Sequence, residues 1–374
     1  MSRLVTTWAA ASERVGGSLC DLTVRNIVRT TVGGTDSRVR LTNAFGDRPV
    51  TFGHVYVGVP RSGAALEPGS NRMVTFGGRP CVTLPSGETG LSDPLPGRVP
   101  SLARLAISIH LQGHHPAPTG RNRATVPAER PAGSARDTAA AYRSRPGDHA
   151  ADEDGAAYVE PLTVWHWLDA LVVTTPGPVP VVAVLGDSFT VGVGAEAGHG
   201  WADLLAERAP FAIVNEGVSG GRVLTPGTGR PAEERLTAEV LTKPGIDTVI
   251  LLSGINDIGA GARPDALVAA YRRMVDRAHA AGVRMIGSTL APFAGAEYFT
   301  GEGERTRTAV NAFIRHGGVF DGVADFDAAL RDPADPLRLH PGHDSGDHLH
   351  PSTAGHHAMA AAVPLPLSSP EIIP

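Results

Sequence analysis

Lysine is almost missing from this chain. Lys243 is the only one among 374 residues, and arginine carries nearly all the positive charge. Aromatic residues are scarce as well, at 5%, while alanine and glycine abound, a compositional bias with no functional content of its own. There is no long basic run and the net charge is −5, so the electrostatic footprint of a nucleic-acid binder is absent. No stretch is long and apolar enough to span a membrane. Residues 1–12 hold one arginine and no extended apolar core, so they do not read as a secretory leader. The chain reads as cytoplasmic as written, or as a mature form from which a leader was removed. The only two cysteines, Cys20 and Cys81, are too few for a disulfide scaffold. They read as two buried thiols in preference to a pair formed in an oxidising compartment.

What is present is a globular composition, 42% hydrophobic, and a length that supports two sizeable cores. Two textures divide it. From about residue 5 to 111, short β-rich runs alternate with turn residues such as Gly33-Gly34, Gly46-Asp47 and Pro85-Ser86-Gly87. Helical periodicity is poor there, and strands at this spacing predict an antiparallel sandwich or jelly roll. Residues 113–155 are rich in Gly, Pro, Ala, Arg and His and predict a long irregular excursion, long enough to reach across a neighbouring site. Residues 159–174 turn apolar again and read as the last strands. Pro176-Gly177-Pro178 then marks a boundary, giving domains at 1–178 and 179–374.

Beyond it, strands and helices alternate. Residues 181–185 are a continuous apolar run, as expected of a parallel strand buried on both faces. Further strands are expected at 212–215, 248–253, 284–289 and 322–326, with helices at 201–208, 231–241, 265–281, 304–315 and 352–362. This rhythm predicts a flavodoxin-like, three-layer α/β/α domain with a doubly wound parallel sheet. Ligands in such sheets bind beyond the C-terminal strand ends, so the loops after Leu185, Asn215 and Ser253 are the places to look for chemistry.

Those loops carry reactive and polar groups. Gly186-Asp187-Ser188 puts a hydroxyl at a strand end, and the Ser188 N–H can help hold an oxyanion. The second loop contains Ser219-Gly220-Gly221-Arg222, where glycine lets a backbone N–H approach substrate. The third contains Gly254-Ile255-Asn256-Asp257, whose Asn256 amide can supply another donor. Near the C-terminus, Asp347-His348-Leu349-His350-Pro351 places an acid three residues before a histidine, where its carboxylate can fix the imidazole tautomer. The chain order Ser, Asp, His matches the α/β-hydrolases, but no Gly-x-Ser-x-Gly surrounds Ser188. Asp344 is the alternative acid. Asp187 and Asp257 read as loop-holding carboxylates, and Arg222 as either an anion-binding group or one half of an ion pair. His340, His343, His348 and His350 match no zinc-site spacing and lack cysteine partners, so no metal is expected.

Together these blocks resemble the SGNH (GDSL-type) serine hydrolase superfamily. Gly186-Asp187-Ser188 resembles its first block, Gly220 its second, Gly254-x-Asn256-Asp257 its third and Asp347-x-x-His350 its last. The resemblance implies that Ser188 is the nucleophile, His350 the base and Asp347 its partner, with Ser188, Gly220 and Asn256 forming the oxyanion hole. Phe189 stands where the family usually has Leu. Residues 7–112 are similar to a β-rich N-terminal domain of secreted actinobacterial members, on the runs Thr23-Val24-Arg25-Asn26-Ile27-Val28 and Arg38-Val39-Arg40-Leu41-Thr42-Asn43-Ala44-Phe45-Gly46. Those relatives usually begin with a leader that this sequence does not show.

The expected activity is hydrolysis of a carboxylic ester through an acyl-serine, with no cofactor. The substrate is a small-molecule, lipid or glycan ester. The alternatives are a carbohydrate O-acetylesterase and an acyltransferase of a biosynthetic route. Nothing in the sequence bears on oligomeric state.

Overall fold

The computed structural model describes residues 2–116, 118–122 and 139–365. The chain divides into two compact units, Met1–Pro178 and Val179–Pro374.

The main strands of the first unit are β1 (Arg3–Ala9), β2 (Leu19–Arg29), β3 (Gly34–Thr42), β4 (Val50–Gly58), β5 (Arg104–His115), β6 (Ala141–Pro146) and β7 (Leu168–Thr175). They form two antiparallel sheets. In one, β7 lies between β1 and β3; in the other, β2 lies between β6 and β5, and β5 is followed by β4. The valine-, isoleucine- and threonine-rich runs that signal strands are the buried stretches of β2, β5 and β7. Phe52 of β4 meets the fully buried Trp167, just ahead of β7, edge to face at 6.2 Å, which joins the two sheets through the core. Arg25 of β2 is also buried. It donates to Ser108 Oγ at 2.8 Å and to the carbonyls of Ala64 and Asp152, and lies 4.1 Å over the Tyr158 ring. A buried cation is tolerated there because acceptors surround it.

Two expectations need correction in this unit. The excursion over 113–155 is not irregular throughout. Thr119–Asn122 and β6 are strands, and β6 pairs with both β2 and Tyr158–Leu162. Arginine and a terminal proline hide a six-residue strand from any alternation argument. Residues 123–138 of that segment lie outside the described residues. Cys20 and Cys81 are free and exposed, not buried. Both sit at strand margins, where a small thiol is easily carried.

In the second unit, β8 (Val181–Gly186), β9 (Ala212–Gly217), β10 (Ile246–Leu252), β11 (Arg284–Ser288) and β12 (Gly322–Ala324) form one parallel sheet in the order β9-β8-β10-β11-β12. All six residues of β8 are buried, which accounts for its continuous apolar run. The order reverses at β8, so a crevice opens between the loops that follow β8 and β10. The helices that matter here are α1 (Ser188–Val191), α2 (Trp201–Arg208), α3 (Ile255–Gly259), α4 (Pro264–Ala280), α5 (Gly301–His316) and α6 (Thr353–Ala362). The helix expected over 231–241 is split: Ala232–Arg235 runs into a π-helical turn, Leu236–Val240. The short helices α1 and α3, which carry Ser188 and Asn256, are too short for periodicity to reveal.

The single lysine is not a surface residue. Lys243 Nζ lies 3.0 Å from Glu216 Oε1, with both side chains fully buried behind β9. Arg235, also buried, donates to the Glu216 carbonyl oxygen.

The loop that follows α1 is laced to the start of α6. His356 Nε2–H donates to the Val193 carbonyl at 3.0 Å, its Nδ1 accepts from Trp201 N at 3.3 Å, and Thr353 Oγ1 accepts from Glu196 N at 3.0 Å. Gly194, at φ +88°, leaves no room for a Cβ, which would stand 2.2 Å from the Pro351 carbonyl oxygen. The chain before α6 is thereby held against the turn that carries Ser188.

Two stability predictions come from these buried groups. Lys243→Met leaves the Glu216 carboxylate buried without its cation and is expected to cost about 3–5 kcal/mol in urea denaturation at pH 7; unchanged stability would contradict the pairing. Burial lowers the His356 pKa to about 4, against about 6.5 in an unfolded chain. Its contribution is therefore complete above pH 6.5 and lost as the pH falls to about 4, amounting to about 3 kcal/mol. The stability gap between wild type and His356→Gln should shrink by that amount over this window, and a constant gap would show that the ring does not titrate on unfolding.

Candidate active site

The registers of the parallel sheet bring three loops level. Gly186 of β8 pairs with Gly217 of β9 and with Leu252 of β10, so all three loops leave the sheet at the same height. Gly186 and Gly217 are glycines for a steric reason. A Cβ on Gly186 would lie 2.1 Å from Thr190 Oγ1 and 2.5 Å from the Leu252 carbonyl oxygen, and one on Gly217 would lie 2.7 Å from Val191 N. The Ser188 turn packs directly on the strand ends.

Ser188 opens α1, with Asp187 as the helix cap: Asp187 Oδ1 accepts from Phe189 N at 3.1 Å. Ser188 Oγ is 2.9 Å from His350 Nε2, and His350 Nδ1 is 2.6 Å from Asp347 Oδ2. Asp347 Oδ1 accepts from the backbone N–H of Leu349 at 3.0 Å and of His350 at 2.7 Å. Partial burial works to raise the Asp347 carboxyl, but the His350 imidazole and these two N–H groups outweigh it and hold the pKa below its ordinary value. Asp347 therefore stays ionised, and its partner ring nitrogen carries the proton.

Asp344 does not join this chain of contacts. It repeats the same local geometry on another histidine: Oδ2 is 2.6 Å from His348 Nδ1, and Oδ1 accepts from Gly346 N and His348 N. His348 sits at φ +61°, a left-handed conformation unusual for a residue with a Cβ, and its side chain is half exposed. Of the two histidines, only His350 reaches Ser188.

Opposite the histidine, Gly220 adopts φ +70° in the loop after β9. No acceptor among the described residues takes the N–H of Ser188 or of Gly220. Asn256, at the start of α3, donates from Nδ2 to the Gly221 carbonyl at 3.0 Å, which leaves its second amide hydrogen free to point elsewhere. Asp257 locks the same loop from below, its two oxygens accepting from Val223 N at 2.8 Å and Leu224 N at 3.0 Å. Gly254, at φ +140°, has no space for a Cβ, which would stand 2.5 Å from the Tyr271 hydroxyl. Arg222 is half-buried near Asp257, and its Nε is buried with no hydrogen-bond partner among the described residues.

Two carboxyls beneath the serine are electrostatically unusual. Complete burial pushes Asp187 up to about 7, against its bond from Phe189 N, and the nearby Asp257 charge adds to the rise. Burial also raises Asp257, countered by the Val223 and Leu224 N–H groups. Neither contacts Ser188 Oγ through a hydrogen bond that competes with His350. Tyr298 was not singled out by sequence. Its phenol is buried without a hydrogen-bond partner, and burial, then the charges of Asp187 and Asp347, hold its pKa up, so it stays a neutral donor at the edge of the site. No local pattern marks it, and none marks Gly194 or His356.

Several solved structures are similar to this chain. A protein of the lipolytic G-D-S-L family from Desulfitobacterium hafniense is 22% identical over 49% of this chain and 96% of its own, with a TM-score of 0.41. An aryl esterase from M. smegmatis is 17% identical over 49% of this chain and 96% of its own, at 0.39. A family two carbohydrate esterase from Cellvibrio japonicus is 12% identical over 97% of this chain and 96% of its own, at 0.38. No curated protein matches the chain significantly. Residues 184–358, within the second unit, match the model of the GDSL-like lipase/acylhydrolase family, a family of carboxylic ester hydrolases.

Proposed function

We propose that the protein cleaves a carboxylic ester in two acyl-transfer steps on Ser188. The observation that carries this reading is the continuous chain Ser188 Oγ, His350, Asp347, with contacts of 2.9 and 2.6 Å. In the first step Ser188 Oγ attacks the ester carbonyl carbon and its proton passes to His350 Nε2. Asp347 holds the imidazole in the tautomer with hydrogen on Nδ1 and stabilises the imidazolium. The carbonyl oxygen, now an anion, is held by the N–H groups of Ser188 and Gly220 and by Asn256 Nδ2. Each well-placed donor of this kind is worth about 3–4 kcal/mol. The bond to the alcohol oxygen then breaks, and the alcohol leaves with the proton from His350. Water attacks the acyl-serine, gives a proton to His350, and the acid departs as Ser188 regains its hydrogen.

In this reading Asp187, Gly254 and Asp257 are positioning residues. Asp187 fixes the turn of the nucleophile. Gly254 and Asp257 set α3 and the Gly220 loop at one height, so that two donors on different loops meet the same oxygen. Arg222 is assigned to an anionic part of the substrate, since its Nε has no hydrogen-bond partner among the described residues. No metal or organic cofactor enters the steps.

Ser188→Ala is expected to lower kcat on p-nitrophenyl acetate by at least about 10⁴-fold with the fold intact. Assaying acetate, butyrate, octanoate and palmitate esters beside an acetylated sugar ranks the acyl and alcohol preferences. Turnover of none of them by folded wild type would overturn simple ester hydrolysis in favour of acyl transfer. Asp347→Asn should reduce kcat by about 10²–10⁴-fold and Asp344→Asn by less than about 10-fold. Comparable losses in the two variants would mean that the acid has been misassigned.

A further inference from the structure

The first unit carries a cluster of reactive side chains that the proposed ester chemistry does not use. His54 on β4, His110 on β5 and Asp148 in the turn after β6 each bring one ligand atom to within 4.8 Å of the others, and His54 Nδ1 and His110 Nδ1 lie 2.5 and 3.5 Å from Asp148 Oδ2. A bulge produces this meeting. In the β4–β5 ladder Ile109 pairs with Val55, but Leu111 pairs with Phe52, so one extra residue of β4 stands opposite His110. Bulges re-aim side chains in this way. Gly53, at the same place, is a glycine because a Cβ would stand 2.5 Å from His110 Nδ1. The backbone has made room for the ring.

The state of His110 is the second observation. Its side chain is only 10% exposed, yet both ring nitrogens are buried without a hydrogen bond. Two carboxylates face it without bonding it: Asp148 Oδ2 lies 3.5 Å from Nδ1, and Asp21 Oδ1 lies 3.4 Å from Nε2. A buried imidazole with two unsatisfied nitrogens is costly unless something else meets it.

We propose that His54, His110 and Asp148 bind a divalent transition-metal cation of the Zn²⁺ class. Two imidazoles and one carboxylate suit such a cation with water as fourth ligand, whereas Ca²⁺ and Mg²⁺ require oxygen-rich sets. Nδ1 of His110 is the ligating atom, and Asp21 takes the Nε2 hydrogen, the outer carboxylate that metal-bound histidines commonly have. Asp148 is supported in turn, its Oδ1 accepting from Ala150 N at 3.1 Å. His54 Nδ1 and Asp148 Oδ2 are 2.5 Å apart and must open to roughly 3.3 Å around a tetrahedral cation with 2.0–2.1 Å bonds. The His54 side chain is 45% exposed and free to swing outward by that amount. The site ties two neighbouring strands to the turn after β6, so its loading should be felt as stability of the first unit and not as ester turnover.

The test is calorimetric titration of the chelator-treated full chain with ZnCl₂ at pH 7.5, with thermal unfolding read in parallel. One equivalent is expected to bind and to raise Tm. His54→Ala and Asp148→Asn, both at exposed or half-exposed positions, should each weaken binding at least 10-fold and abolish the Tm rise. Ser188→Ala should bind as wild type does. Absence of saturable binding by wild type, or binding that survives both substitutions, overturns the assignment and leaves the cluster as an ion pair.

Discussion

The geometry proposed for catalysis rests on how closely the Ser188 turn lies against the ends of β8 and β9. Gly186 and Gly217 have no side chain, and each lies so near its neighbours that a single carbon would collide with backbone or with Thr190. This contact sets the height of Ser188 above the sheet. The in-register pairing of Gly186 with Gly217 and Leu252 then sets the height of the other two loops. Donors on separate loops can serve one oxygen only if those heights agree to within a fraction of an ångström. Steric exclusion at Gly186 and Gly217 sets how closely the Ser188 turn approaches the strand ends.

Charge has a corresponding division of labour. Of the carboxyls beside and beneath Ser188, Asp187 accepts with one oxygen from Phe189 N of α1, and Asp257 accepts with both from Val223 and Leu224 N of the Gly220 loop. Burial raises both carboxyls, Asp187 to about 7, which weakens the negative field that Asp187 sets beneath Ser188. Asp347 is the opposite case. Its hydrogen bonds outweigh its partial burial and keep it ionised beside the histidine, where a negative charge stabilises the imidazolium. Two kinds of environment thus shift the carboxyls around Ser188 and His350 in opposite directions. The chain's one lysine follows the same logic, buried against Glu216 behind β9 and remote from solvent.

Much of this was legible in the sequence because it is local. Strand β8 is a continuous apolar run since both faces are buried, and β-rich runs give way to alternating strands and helices near Pro178, where the chain divides into two compact units. The Asp347–His350 pair that reaches Ser188 is legible as a short block because it belongs to one turn. What could not be read depends on contacts distant in sequence. His54, His110 and Asp148 look like isolated polar residues until a bulge and a turn bring them together. Histidine counting instead draws attention to His340 and His343, which lie side by side at 5.1 Å and form no ligand set among the described residues. The strand Ala141–Pro146 is hidden by its arginines, and α1 and α3 are shorter than two helical turns. Exposure of Cys20 and Cys81 goes against the usual burial of thiols, and nothing local signals it.

The pairs Asp344–His348 and Asp347–His350 show where local reading ends. Both carboxylates use one oxygen on backbone N–H groups and the other on an imidazole Nδ1 at 2.6 Å. A spacing of four residues and a spacing of three make equally good acid–imidazole pairs. The difference is reach, and reach is set elsewhere. Gly194 lets the Pro351 carbonyl approach, and His356 and Thr353 pin the following helix to the loop after α1. Those contacts bring His350 to Ser188 Oγ at 2.9 Å, whereas His348 remains half exposed in a left-handed turn. An Asp–His pair reaches a serine hydroxyl only when the tertiary structure aims its second nitrogen there, and in this chain Gly194, 156 residues upstream of His350, gives the Pro351 carbonyl the room for that approach.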